Sequence, residues 1–467
     1  MTTRTRIALA IAVACILIAT LAVWALRPFG PPPRPNILLI ILDTTRWDHL
    51  SCYGYAEKTT PTIDKFAEEA VRYEYAISPS SWTLPAHASL FTGMLSTHHG
   101  AHFGSGAETE VERIHDLSFY PLHSSHVTLA EELKKAGYRT AGIVSSPVLK
   151  AKLGFGKGFD YYDDYKLFDR RANEVSTLAT DWLIEHRSLS SGRPFFLFLN
   201  YYDPHTPYNP PAPWGEENVP DDLIYIYSGH YDDVLRGARD LTDDERSVLL
   251  KQYDGEIRFM DNQIERLFFE MRRLGLYDST WIIVTADHGE SFGEHRLLEH
   301  GRALYEDLIR VPLIMKYPKD NAKKGVIKRR VSILSIMPTI LEYIRQPVPT
   351  TVETGTLHDK NQVLVSEAFR DITWVTFYGK RFDRSQKALY DGNYKWIWNS
   401  SGNHELFAII QDPAEMNNLA GTLPHVEKRC QARLEPLIQE SNRMAELTPL
   451  EIDEELKDRL RALGYIR

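Results

Sequence analysis

The sequence predicts an α/β fold, with a parallel-rich sheet flanked by helices and a small antiparallel α+β subdomain at the C-terminal end. Three observations carry that expectation. Apolar runs of strand length alternate with helical patterns from residue 36 onward, as in a sheet covered on both faces. Several of these runs end in acidic or imidazole-bearing residues, which places chemistry beyond the carboxyl ends of the strands. Past about residue 350 the alternation gives way to short strand-like runs joined by hairpin turns.

In chain order, residues 7–26 are uncharged and apolar over roughly the 20 residues a helix needs to cross a bilayer. Arg4 and Arg6 precede them, so a single-pass anchor (1–27) with a cytoplasmic N-terminus is expected, leaving the catalytic part extracytoplasmic, on the periplasmic side in a bacterium. A cleaved signal peptide and a lipoprotein box at Ala12-Val13-Ala14-Cys15 are the alternatives. The Pro-rich stretch 28–35 reads as a stiff spacer.

Strands are expected at 36–42, 138–144, 194–200, 280–285 and 311–317, and helices at 62–73, 128–136, 173–187 and 244–274. These define a catalytic domain over 36–350. In 351–467 the runs 362–369, 373–378, 387–398 and 405–410 read as short strands, with turns at Asp391-Gly392 and Ser401-Gly402, before a polar helix.

Composition narrows the function classes. The chain has 467 residues, 43% hydrophobic and 25% charged, which is ordinary globular material. A formal charge of −9, with no basic run beyond short clusters such as Lys323-Lys324, argues against nucleic-acid partners. Three cysteines exclude a disulfide framework; outside the N-terminal segment only Cys52 and Cys430 could pair.

The chemistry concentrates in three places. Thr83 stands where a helix is about to begin, with Pro85 suited to the first turn and Gly93 to the end; backbone N–H groups and the positive dipole end there favour an anion. Asp43 closes the apolar run 36–42, and Asp287-His288 closes 281–286. Carboxylate, hydroxyl and imidazole from such ends could converge on one metal. The plainer alternatives are a turn-capping Asp43 and a helix-capping Thr83. His98, His99 and His102 resemble a second metal cluster but follow the glycine that ends the helix, and Arg46 with Asp48 reads as a supporting ion pair.

A series of fragments resembles the sulfatase family of the alkaline phosphatase superfamily. They are Asn36-Ile37-Leu38 through Asp43, Arg46, Asp48 and Cys52-Tyr53-Gly54-Tyr55; Thr60-Pro61-Thr62-Ile63-Asp64; Leu90-Phe91-Thr92-Gly93; Asp203-Pro204-His205-Thr206-Pro207-Tyr208; Asp287-His288-Gly289-Glu290; Tyr305-Glu306 with Arg310-Val311-Pro312; Glu405-Leu406-Phe407; and Asp412-Pro413-Ala414-Glu415. The resemblance implies an alkaline-phosphatase-like sheet and one divalent metal (Mn, Ca or Zn) held by Asp43, Thr83, Asp287 and His288. It further implies that His205 and His300 face the transferred group or its leaving oxygen. A nitrogen ligand tilts the choice toward manganese or zinc over calcium.

Departures from the family pattern are equally informative. The Cys/Ser-x-Pro-x-Arg signature, whose first residue is oxidised to formylglycine, reads Thr83-Leu84-Pro85-Ala86-His87, and threonine cannot become that aldehyde. Thr44 occupies the slot of a second acidic residue, the Gly-Lys-x-His motif is missing, and the lysine before Tyr-Glu is replaced around His300-Gly301. The leading expectation is a membrane-anchored, metal-dependent hydrolase of sulfate or phosphate (diester or phosphonate) esters through Thr83, acting on a small-molecule, glycan or lipid ester. The alternatives are a phospho-headgroup transferase and an inactive binding protein on the same fold.

Overall fold

The computed structural model describes residues 34–103, 119–165, 170–189, 192–215, 219, 229–360, 362 and 364–441. By internal contacts the chain divides into residues 1–35 and a compact unit, residues 36–467. The expected anchor at 7–26 lies outside the described residues. Among the described residues no helix is long and apolar enough to cross a membrane, so the transmembrane helix and the extracytoplasmic placement built on it are corrected.

The main sheet is built from β1 (Asn36–Leu42), β2 (Val71–Ile77), β3 (Arg139–Ile143), β4 (Tyr161–Asp163), β5 (Phe195–Tyr201), β6 (Thr280–Thr285), β7 (Arg310–Lys316) and β8 (Gly325–Ser332). Their order across the sheet is β8-β2-β7-β6-β1-β5-β3-β4. β1 pairs in parallel with both β5 and β6, and β7 alone runs against its two neighbours. The central strands are buried on both faces, which explains their near-continuous apolar composition.

The helices include α1 (Pro61–Glu68), α2 (Thr83–Thr92), α3 (Leu129–Lys135), α4 (Ala172–Leu189), α5 (Asp243–Arg273) and α6 (Ile336–Tyr343). α3 and α5 start with capping boxes, Thr128 with Glu131 and Thr242 with Glu245, each satisfying two otherwise unpaired backbone donors. α5 packs along α4, where Ser176 Oγ donates to the Gln263 carbonyl at 2.9 Å.

Three expectations are revised. The helix expected at 62–73 stops at Glu68, and Val71-Arg72-Tyr73-Glu74-Tyr75-Ala76-Ile77 forms β2, a β-branched and aromatic run that fits a pleated surface. β8 was not foreseen, because its Lys328-Arg329-Arg330 sequence belongs to a partly exposed edge strand. The strand expected at 373–378 is helix α7 (Ile372–Tyr378), capped by Asp371, whose side chain accepts from Thr373 N–H at 2.9 Å.

The C-terminal part forms a separate antiparallel sheet, β9 (Val365–Ala368), β10 (Gln386–Asp391), β11 (Tyr394–Asn399) and β12 (Glu405–Phe407), in that order. Helix α8 (Pro424–Ser441) covers it, burying Val426, Cys430 and Leu434 against Leu389, Trp396 and Leu406. Cys52 and Cys430 are both free thiols. This sheet also steadies the segment before α2: Glu367 N–H donates to the Pro79 carbonyl at 2.8 Å, and Ser366 Oγ to the Ser78 carbonyl at 2.6 Å.

Candidate active site and metal centre

Asp43, Thr83, His205 and Asp287 all follow the carboxyl ends of strands, β1, β2, β5 and β6 respectively, where ligands bind in open α/β sheets. Because β6 and β1 are neighbours in register, their trailing carboxylates meet: Thr44 N–H donates to Asp287 Oδ1 at 3.2 Å. Thr44 makes that contact at φ 52°, a costly left-handed conformation for a β-branched residue. Tyr253 holds the turn by donating to the Thr44 carbonyl at 2.8 Å and accepting from Arg46 N–H at 2.8 Å.

Thr83 is the first residue of α2, and the N-cap is Trp82, which provides no side-chain cap; the capping alternative for Thr83 is thereby corrected. Its Oγ1 lies 3.1 Å from His288 Nε2 and 3.5 Å from Asp43 Oδ1. His288 Nδ1 lies 2.9 Å from the Gly289 carbonyl. A carbonyl only accepts, so Nδ1 carries the hydrogen and the neutral ring presents a bare Nε2. Burial also holds the His288 pKa below its usual value, as suits a ligand that must be unprotonated.

The metal reading can be tested on these donors. Ligand atoms of Asp43, Asp287 and His288 lie within 4.8 Å of one another, all three residues are buried, and Asp287 Oδ2 has no hydrogen-bond partner. Burial, and then repulsion from Asp287, raise the Asp43 pKa well above the carboxylate range. Two dry carboxylates facing a neutral imidazole and a hydroxyl fit a divalent cation.

The remaining expected residues fall around this centre. His205 stacks on Tyr202 (ring centroids 4.3 Å apart), and its Nδ1 lies 2.7 Å from the Thr206 carbonyl; burial pushes its pKa down to about 3. The His300 ring contacts both His288 and His205, at centroid distances of 4.4 and 4.9 Å. His87 Nδ1 lies 2.9 Å from the Thr83 carbonyl and 3.5 Å from Asp287 Oδ2. Arg46 forms a bidentate pair with Asp48 (2.9 and 2.8 Å) and donates to the Glu290 carbonyl at 3.0 Å, so it supports the site from behind. Trp82, His102, Arg302, Phe369 and Asp371 line a small cleft beside Pro85 and Gly301.

His98, His99 and His102 do not gather around an ion. His98 pairs with Glu353 and Glu440, His99 lies 3.0 Å from Ser89 Oγ, and His102 stacks on Tyr120. Two residues of the site were not foreseen. Asn200 donates to Asp43 Oδ2 at 3.2 Å while its Oδ1 accepts from Ser145 and Ser146 N–H; a polar residue ending an otherwise apolar strand was its only signal. Glu290, quoted in a motif without a role, lies 2.9 Å from His300 Nδ1.

A sulfatase family model matches residues 35–345, and a model described as N-sulphoglucosamine sulphohydrolase, C-terminal, matches 293–442. The chain belongs to the sulfatase family and is by class a hydrolase of sulfuric or phosphoric esters. It is 26% identical to an arylsulfatase of Clostridium perfringens over 85% of this chain and 92% of that one. It is 25% identical to the multifunctional alkaline phosphatase superfamily protein PehA of Trinickia caryophylli, over 83% and 91%. The phosphonate monoester hydrolase of Agrobacterium radiobacter shares the fold, with a TM-score of 0.66 and 19% identity over 88% of this chain and 96% of that one.

Proposed function

We propose that this chain hydrolyses phosphoric diesters or phosphonate esters, and sulfuric esters less readily, with Thr83 as nucleophile, Asp43, Asp287, His288 and Thr83 as metal ligands, and His205 and His300 serving the leaving oxygen. The observation that carries this reading is the Thr83 hydroxyl, buried at the start of α2 and 3.1 Å from His288 Nε2. These four residues would hold a divalent ion, manganese or zinc by the nitrogen ligand, which would supply Lewis-acid charge at the reacting oxygens.

The chain's own residues do the rest. Thr83, whose hydroxyl proton would pass to water as its oxygen joins the cation, reacts as the alkoxide. Oγ1 bonds to phosphorus or sulfur as the bond to the leaving oxygen breaks, the N-terminal end of α2 favours the anion formed, and Thr83 leaves again as the alkoxide in the second displacement. Water then cleaves the threonine ester. A formylglycine hydrate could expel sulfate by collapsing to an aldehyde; a threonine ester needs a second full displacement, which favours phosphorus over sulfur. The names of the relatives, an arylsulfatase, a multifunctional phosphatase-superfamily protein and a phosphonate hydrolase, support a small-molecule ester as substrate. The same reading takes 36–350 as the catalytic domain and 351–467 as its C-terminal subdomain.

The test is Thr83→Ala assayed on aryl phosphate diesters, phosphonates and sulfates. Turnover is expected to fall by about 10³-fold or more, and intact turnover would remove Thr83 as the nucleophile.

A further inference from the structure

Glu290 and His300 form a carboxyl–imidazole dyad at the edge of the site. Glu290 Oε1 lies 2.9 Å from His300 Nδ1, with both side chains buried. The dyad is anchored at both ends, because Arg46 donates to the Glu290 carbonyl at 3.0 Å and Arg302 donates to the His300 carbonyl. With Nδ1 engaged, the other ring nitrogen, Nε2, is buried and has no hydrogen-bond partner. The ring touches His288, which adjoins Thr83, on one side and His205 on another. A buried imidazole nitrogen without a partner is costly, and a ring lying against His288, whose Nε2 is 3.1 Å from the Thr83 hydroxyl, has a use for it.

We infer that Glu290 is a positioning residue that acts through His300, holding the ring so that Nε2–H protonates the departing ester oxygen. This rests on the hydrolase reading above. The dyad starts with two protons, one in the Oε1···Nδ1 contact and one on Nε2. As the bond from phosphorus or sulfur to the leaving oxygen breaks, its electron pair stays on that oxygen, which takes the Nε2 proton. The proton in the contact settles on Nδ1, leaving a Glu290 carboxylate and a neutral ring with a bare Nε2. In the second displacement Nε2 takes the proton of the attacking water, which restores the starting state.

The test uses Glu290→Gln on aryl ester series whose leaving phenols range from 4-nitrophenol to 4-methoxyphenol, with kcat, KM and bound metal measured. General-acid help matters most for poor leaving groups, so kcat is expected to fall about 10²-fold for 4-methoxyphenol and less than about 5-fold for 4-nitrophenol, with KM and metal content unchanged. In a His300→Ala background the same change should add nothing. A uniform loss along the series, no loss, or additive losses in the double variant would overturn the inference and leave the hydrolase reading intact. A wild-type protein inert on every series would overturn both. If Glu290→Gln does not fold, Glu290→Asp, which withdraws the carboxyl by one methylene, must show the same leaving-group dependence.

Discussion

Thr83 Oγ1 lies 3.1 Å from His288 Nε2 although 205 residues separate them. The two follow β2 and β6, which are not neighbours: antiparallel β7 lies between them. Because β7 runs the other way, its beginning is at the carboxyl end of its neighbours, where the Ile309 carbonyl accepts from Ser78 N–H at 2.7 Å. The strand that breaks the parallel pattern thus seats the segment leading into α2.

A hydroxyl, and not the whole threonine, is what the reaction requires. Thr83→Ser should keep kcat/KM within about tenfold, because the alcohol remains and only the methyl that restricts χ1 is lost. Steady-state kinetics on the best aryl ester checks this.

Metal should be needed for turnover and should stabilise the fold. Chelation is expected to abolish activity and lower the melting temperature, because two buried carboxylates are left to repel. Manganese or zinc should restore both more fully than calcium. Asp287→Asn should reduce bound metal, read by elemental analysis.

Stability should decline in alkali through His98. The hydrogen bond that His98 donates to Glu353 (2.5 Å) is the main cause that lifts its pKa to about 9, against its burial, with Glu440 (3.0 Å) adding to it. The folded value lies above the unfolded one near 6.5, so the contribution is complete below about pH 6.5 and disappears as the pH rises through about 9. Solvent reaches these groups, which limits the effect to about 0.5–1 kcal/mol. Melting curves from pH 6 to 10 should lose this component in His98→Gln.

Gly289 permits no side chain. A Cβ there would sit 1.9 Å from the Asp307 carbonyl oxygen, and backbone cannot yield as a flexible side chain does. Gly289→Ala should destabilise the protein by about 3 kcal/mol or more and weaken metal binding by displacing His288. Denaturant titration with metal analysis would show it.

Much of this was legible along the chain. β1 and β6 begin and end where the apolar runs do, and α5 lies within one residue at each end of the helix expected at 244–274. The misreadings at β2 and α7 share a cause: short segments rich in β-branched and aromatic residues suit either state, and a partner strand or a cap decides between them.

What the sequence determined by itself was the kind of chemistry: acidic, hydroxyl and imidazole groups at strand ends, a threonine where an oxidisable residue belongs, and the family those residues resemble. Only the tertiary structure decided which groups touch. The bond from Asn200 to Asp43, the left-handed turn at Thr44 and the Glu290–His300 dyad depend on strand order and on backbone meeting backbone across long separations. Local propensity carries no record of such contacts, because each partner is a neighbour only after the sheet has formed.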